Sequence, residues 1–94
     1  MADLNKEKIC REALQHFGWP GQRLKLYEEI GELMVELARF DIGRSTVYTI
    51  AEEIADVQIL LEQLTIHYGC KDMVEDWLFA KLYNLKEKID AEHS

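Results

Sequence analysis

Apolar residues recur at intervals of three or four along most of the chain, which is the pattern of amphipathic helices. We predict four helices. The first two run from Asp3 to Phe17 and from Gln22 to about Phe40, the third is capped by Thr49 and runs to about Tyr68, and the fourth is capped by Asp72 and continues to about Ile89.

The predicted breaks between these helices follow from backbone chemistry. Gly18-Trp19-Pro20-Gly21 separates the first two helices, because it holds the only proline and two of the five glycines. Residues 41–48 connect the second helix to the third, and Gly69 suits the end of the third.

Each predicted helix carries an apolar stripe that can face a common core. The second has a wide stripe comprising Leu24, Leu26, Tyr27, Ile30, Leu33, Met34, Val35, Leu37 and Ala38. The first contributes Leu4, Ile9, Ala13, Leu14 and Phe17; the third Ile50, Ile54, Val57, Leu61, Leu64 and Tyr68; the fourth Val74, Trp77, Leu78, Leu82, Leu85 and Ile89. We therefore predict one all-α domain over 1–94, a four-helix bundle. The broad stripes on helices two and four suggest a homodimer or a dimer of dimers.

Two acidic clusters lie on either side of the central connection. Glu29 and Glu32 are three residues apart in EEIGE, and Glu53 and Asp56 repeat that spacing in EIAD, so each pair lies on one side of its helix. The midpoint between the clusters falls at residue 42 or 43, so an antiparallel hairpin brings four carboxylates to the same height. Because like charges repel strongly in a partly dry site, such a group favours a hard cation, Mg²⁺ or Mn²⁺.

The two clusters together resemble the EExxE…ExxD signature of the MazG-like all-α nucleoside triphosphate pyrophosphohydrolases. The resemblance extends from about Gly18 to Lys88. It implies Mg²⁺-dependent hydrolysis of a nucleoside or deoxynucleoside triphosphate to the monophosphate and pyrophosphate, with water attacking the α-phosphorus. Mn²⁺ is a possible substitute. It also implies an oligomeric helical bundle whose central hairpin carries both motifs.

The resemblance also assigns roles to individual residues. It makes Glu29, Glu32, Glu53 and Asp56 the metal ligands, and Glu28 a further ligand or the group that orients the water. Basic residues of the family's last helix lie near the phosphates, and this position corresponds to Lys81, Asn84 and Lys88, although the family's arginines are missing here. GWPGQ resembles the family's lead-in to the second helix, so Trp19 or Gln22 is expected to contact the base or sugar. A structural role remains open for both.

The same acids also allow other interpretations. On a helical wheel, the acids of the second helix occupy the sector that its apolar residues leave free. Considered without the second cluster, this pattern is that of a solvated polar face, and the protein would then be a non-catalytic interaction module. Glu53 and Asp56, however, border the apolar stripe of the third helix, whereas Glu52 and Glu62 lie on its far face. A di-iron bundle needs ExxH motifs, and no histidine lies three residues after a glutamate.

Composition excludes several further classes. The formal net charge of −7 argues against a general nucleic-acid binder, which needs a basic face, but it does not exclude a metal-bridged nucleotide. Cys10 and Cys70 fit neither a zinc site nor a disulfide framework, and His16, His67 and His93 suggest no catalytic triad. No apolar run approaches a membrane span and no signal peptide is visible, so we expect a cytoplasmic protein that binds no membrane.

Overall fold

The computed structural model describes residues 4–93, and over this range the protein is all-helical, without strands. The four helices are α1 (Lys6–Phe17), α2 (Trp19–Asp41), α3 (Val47–Tyr68) and α4 (Lys71–Glu92). The prediction of four helices is therefore confirmed. The described helices include none that is both long enough and apolar enough to cross a membrane.

The first break is shorter than predicted. α1 begins after Asn5, whose side-chain oxygen accepts a hydrogen bond from the Lys8 amide at 2.9 Å; the predicted start, Asp3, lies outside the described residues. Only Gly18, at φ +80°, leaves the helical conformation, so the prediction that α2 starts at Gln22 was wrong. Pro20 lies in the first turn of α2, where the amide hydrogen that proline lacks has no partner within the helix in any case.

The connections around α3 and α4 also differ from the predicted caps. Thr46, not Thr49, caps α3: its hydroxyl oxygen accepts from the Thr49 amide at 3.2 Å. Gly69 ends α3 in the left-handed conformation, at φ +59°, as predicted. α4 starts at Lys71, one residue before the predicted cap at Asp72, and extends beyond Ile89 to Glu92. Because Asp72 already lies inside the first turn, it cannot serve as the cap.

The packing centres on the hairpin of α2 and α3. α1 packs mainly against α3 and to a lesser degree against α2, whereas α4 approaches only α3. The buried core of the described chain consists of the apolar residues Cys10, Leu26 and Leu60 and the polar residues Glu29 and Gln63. Two polar side chains thus lie in the centre of a small core, where burial is costly unless their charges or hydrogen bonds are satisfied.

The predicted apolar stripes are less buried than expected. Every member of the α4 stripe is exposed, from 40% for Val74 to 65% for Trp77. On the other helices, the stripe residues that are exposed include Leu4, Ile9, Phe17, Leu24, Tyr27, Ile30, Met34, Val35, Leu37, Ile54, Leu61 and Tyr68. One chain alone therefore leaves most of these stripe residues uncovered, because it supplies no second layer of helices to pack on them.

Candidate metal site on the central hairpin

The hairpin brings the predicted acidic residues together around Glu29. One group consists of Glu28, Glu29 and Glu32, and a second consists of Glu29, Glu53 and Asp56; within each group, carboxylate oxygens lie within 4.8 Å of one another. Glu29 belongs to both groups. The acids of α2 and α3 therefore form one continuous cluster across the hairpin, as their spacing predicts.

Glu29 is the buried centre of this cluster, with 6% of its surface exposed. Its Oε1 atom lies 3.4 Å from Nζ of Lys25, one turn earlier on α2. Its Oε2 atom is buried and has no hydrogen-bond partner in the described part of the chain, and the same is true of Oε2 of Glu53. Two buried carboxylate oxygens on facing helices are thus left without a donor, an arrangement that is costly unless a cation or a proton is supplied.

The electrostatics of the cluster are those of acids held too close together. Burial raises the pKa of Glu53, and the charges of Glu32, Glu29 and Asp56 raise it further. The pKa of Glu32 is raised chiefly by the charge of Glu29. Both shifts record the cost of charging every acid at once in this site.

Lys25 is affected in the opposite sense by the same field. The charge of Glu28 and the contact with Glu29 raise the pKa of its ammonium group, which therefore stays charged more firmly than usual. One lysine cannot neutralise five carboxylates. The chemistry of the donor set, hard oxygens with two atoms unpartnered, fits a divalent cation such as Mg²⁺.

A pocket adjoins the cluster at the start of α2. It has a volume of about 480 Å³ and is lined by Phe17, Gln22, Lys25, Glu29, Asp56, Ile59, Leu60 and Gln63. Nε2 of Gln22 donates a hydrogen bond of 2.8 Å to Oε1 of Gln63 across the hairpin. Of the two residues expected at the base or sugar, Gln22 therefore lies beside the acids.

Trp19, the other residue expected there, does not line this pocket. Its ring stacks on His67 with centroids 4.7 Å apart and meets Tyr68 edge-on at 5.9 Å. Trp19 thereby fastens the start of α2 to the end of α3. The aromatic residue that does line the pocket is Phe17.

The residues expected at the phosphates lie elsewhere in the chain. Lys81, Asn84 and Lys88 line a separate groove along α4 together with Leu85, and Nζ of Lys81 lies 5.6 Å above the ring of Trp77. No described residue of α4 lines the pocket beside the acids, and α4 does not approach α2. Within one chain, the structure does not bring these three residues to the acidic cluster.

Gln63 was not among the residues predicted from the sequence. An uncharged amide on a helix gives no charge pattern, but a positional signal exists. Gln63 follows Asp56 by seven residues, and Gln22 precedes Glu29 by the same number. Since seven residues are close to two helical turns, each glutamine lies on the same side of its helix as the acid.

No family model, curated protein or solved structure matches this chain.

Proposed function

We propose that the protein hydrolyses a nucleoside or deoxynucleoside triphosphate to the monophosphate and pyrophosphate, with Mg²⁺ or, as a substitute, Mn²⁺. The observation that carries this proposal is the pair of buried, unpartnered carboxylate oxygens on Glu29 and Glu53, inside a cluster that spans α2 and α3. A solvated acidic face, the alternative interpretation, leaves its oxygens to water, whereas Glu29 is almost completely buried.

The roles of the acids follow from their positions and from the resemblance of the two motifs. Glu29, Glu32, Glu53 and Asp56 would hold the metal, and Glu29 would join the two groups because it belongs to both. Bound Mg²⁺ supplies Lewis-acid polarisation of a phosphoryl oxygen and lowers the pKa of a coordinated water. Glu28, the most N-terminal acid of the cluster, would be a further ligand or would orient the water that attacks the α-phosphorus. Pyrophosphate leaves, and the monophosphate remains.

Substrate contacts divide into those near the acids and those on α4. Gln22 contacts the nucleoside from the pocket wall, while Trp19, held against His67, keeps a structural role. Lys81, Asn84 and Lys88 bind phosphate oxygens from the α4 of a second copy, since α4 of the same chain does not approach α2.

The proposed assembly is a homodimer, or a dimer of dimers, that completes a four-helix bundle. Its support is the set of apolar side chains on α4, all exposed in one chain although they form a continuous stripe. A stripe of this length on a single helix exceeds the scattered apolar residues normal on a monomer surface, so we assign its cover to a second copy.

The test is pyrophosphate release from a panel of ribonucleoside and deoxyribonucleoside triphosphates, with Mg²⁺ and with EDTA. We expect metal-dependent release in which the nucleotide product is the monophosphate. Release of orthophosphate with a diphosphate product would contradict attack at the α-phosphorus. A folded protein that cleaves none of the panel and binds no divalent cation would instead be a helical interaction module.

A further inference from the structure

The pocket beside the acids has one positively charged side chain among its described lining residues, that of Lys25. This side chain is 52% exposed, whereas the side chain of its ion-pair partner Glu29 is only 8% exposed. The ammonium group therefore lies at the boundary between a buried carboxylate and an open cavity. A ligand that enters the pocket can reach the ammonium group without any change in the backbone.

The contact between Lys25 and Glu29 is loose. Nζ of Lys25 lies 3.4 Å from Oε1 of Glu29, which is longer than the roughly 2.7–2.9 Å of a tight hydrogen bond between an ammonium group and a carboxylate. Lysine carries its donor hydrogens at the end of a flexible stem, so the head group can turn to another acceptor nearby. A divalent cation held by the acids would compete for Glu29 and repel the ammonium group. Both effects would release Lys25 towards the pocket.

The position of Lys25 along α2 indicates which part of a nucleotide it meets. Gln22, Lys25 and Glu29 follow one another at intervals of three and four residues, so they lie on one side of the helix in successive turns. Along the helix axis, Lys25 is about 6 Å from Glu29 and about 4.5 Å from Gln22. A nucleotide that is bound at the acids through its phosphates, with its nucleoside against Gln22, has its α-phosphate nearest to Lys25, because the α-phosphate is the one attached to the nucleoside.

We propose that Lys25 is a substrate-binding residue that donates from Nζ to a non-bridging oxygen of the α-phosphate, and that this oxygen replaces Glu29 as its partner once the acids hold a metal ion. This role rests on the proposed function, and it adds a phosphate contact within the same chain to those assigned to α4 of a second copy. The α-phosphate stays in the monophosphate when pyrophosphate leaves. Lys25 therefore holds the nucleotide product as well as the substrate.

The Lys25→Gln variant tests this contact through two affinities that should change in opposite directions. Calorimetric titration should show tighter binding of Mg²⁺ alone, since the competing ammonium group is gone. UMP, CMP, AMP and GMP are then titrated in saturating Mg²⁺. Those that bind the wild type should bind Lys25→Gln about 10-fold more weakly, as expected for the loss of a charge-assisted hydrogen bond. A lysine that only balances the charge of Glu29 would leave monophosphate binding unchanged or make it tighter, and this result overturns the inference.

Three controls show whether the loss belongs to the phosphate contact. Lys86→Gln removes an exposed lysine of α4 that pairs with Asp90, and it should leave both affinities unchanged. Lys25→Arg keeps a positively charged donor and should retain most of the monophosphate affinity. The matching nucleosides lack a phosphate and should bind Lys25→Gln as they bind the wild type. Nucleoside binding that falls by the same factor as monophosphate binding would show that the pocket itself has changed, and it would contradict a contact with the phosphate.

Monophosphate binding requires no hydrolysis, so the role of Lys25 and the proposed activity can fail separately. Weaker monophosphate binding in Lys25→Gln supports the contact even if the protein cleaves no triphosphate. Metal-dependent release of pyrophosphate, with KM and monophosphate affinity unchanged in Lys25→Gln, overturns the role of Lys25 and leaves the pyrophosphohydrolase proposal standing. A wild-type protein that binds none of the four monophosphates in Mg²⁺ has no such product contact, which also overturns the inference.

Discussion

Glu29 and Asp56 face each other across the hairpin of α2 and α3, with a carboxylate oxygen of each within 4.8 Å of the other. Glu53 joins them from one turn earlier on α3, and Lys25 touches Glu29 from one turn earlier on α2. The cluster therefore holds more negative charge than the single lysine can balance. The stability of the protein should therefore depend on divalent cations and on pH.

Replacing Glu53 with glutamine should remove activity without unfolding the protein. Glu53→Gln deletes one proposed metal ligand, so we expect hydrolysis with Mg²⁺ to fall by more than the 10- to 100-fold that is roughly typical of outer-shell changes. In EDTA the variant should be at least as stable as the wild type, since one of the repelling charges is gone. The measurements are pyrophosphate release and thermal unfolding.

The matched control for this variant is Glu52→Gln. Glu52 is the adjacent residue on α3, is exposed and belongs to neither acidic group. It should retain wild-type hydrolysis, because the same loss of charge is made outside the cluster. Full activity in Glu53→Gln would remove Glu53 from the site.

Comparison of Glu53→Gln with the wild-type protein also gives a prediction for how stability depends on pH. The pKa of Glu53 is raised in the folded state above its usual value of 4.5, so the folded protein binds a proton there more tightly than the unfolded chain does. The group contributes stability that is present in full below pH 4.5 and lost as the pH rises through the raised pKa. In EDTA, the free energy of unfolding of Glu53→Gln should therefore match that of the wild type in acid and exceed it increasingly towards neutral pH. Urea unfolding at several pH values measures this gap, and a gap that does not change with pH would contradict the assignment.

In the metal-free protein, Lys25 should partly balance the negative charge that a bound metal ion would otherwise balance. Lys25→Gln removes the cation beside the buried Glu29 carboxylate, so the melting temperature in EDTA should fall. Saturating Mg²⁺ should narrow that loss, and calorimetric titration should show tighter Mg²⁺ binding, since the competing ammonium group is gone. Lys86→Gln, which breaks an exposed ion pair with Asp90 at 2.7 Å, should affect neither quantity. Equal effects of the two variants would show that Lys25 makes only an ordinary surface ion pair.

The register of the hairpin could be predicted from the sequence, because the acidic residues and their spacing on both helices indicate which positions of α2 and α3 face each other. The acids of the two motifs have their midpoint at residue 42 or 43, and the structure places the connection between Asp41 and Val47. The hydrogen bond between Gln22 and Gln63 has the same midpoint, which the sequence also contains. It was missed because an amide can serve many roles on a helix, and only the packed hairpin shows that Gln63 is buried.

The remaining errors have a common physical origin. Thr46 and Thr49 lie three residues apart and both suit an N-cap, so local preference does not decide between them. Likewise, the stripe of α4 predicts correctly that one side of the helix is apolar, but periodicity does not state which helix, or which copy of the chain, covers it. Which surface packs on the stripe depends on tertiary or quaternary structure. The sequence of one chain indicates it only through the apolar surface that the folded chain leaves exposed.

Replacing each of two glycines with alanine should change the free energy of unfolding in opposite directions. Gly69 has a left-handed conformation at φ +59°, so Gly69→Ala should lower the free energy of unfolding by about 1–2 kcal/mol. Gly31 lies inside α2, and a Cβ added there meets no atom within 4 Å, so Gly31→Ala should raise it by up to about 1 kcal/mol. Chemical denaturation of both variants measures the difference. If Gly31→Ala were as harmful as Gly69→Ala, another chain would have to pack closely against Gly31.

A mixing experiment tests whether a second copy supplies the phosphate contacts. Lys81→Gln and Glu53→Gln should each be inactive as pure proteins, since each removes one half of a site shared between α4 of one copy and the acids of the other. In a mixed dimer, one site carries both changes and the other carries neither. Mixing the two variants at equal concentration, with exchange of subunits, should therefore restore about a quarter of wild-type hydrolysis. If both contributions came from the same chain, every site would carry one change and no activity would return.

Adding Leu78→Asp, which places a charge on the exposed apolar stripe of α4, should reduce the mass in sedimentation to that of one chain and abolish the restored activity. Complementation that survives Leu78→Asp would show that the copies associate through a surface other than α4.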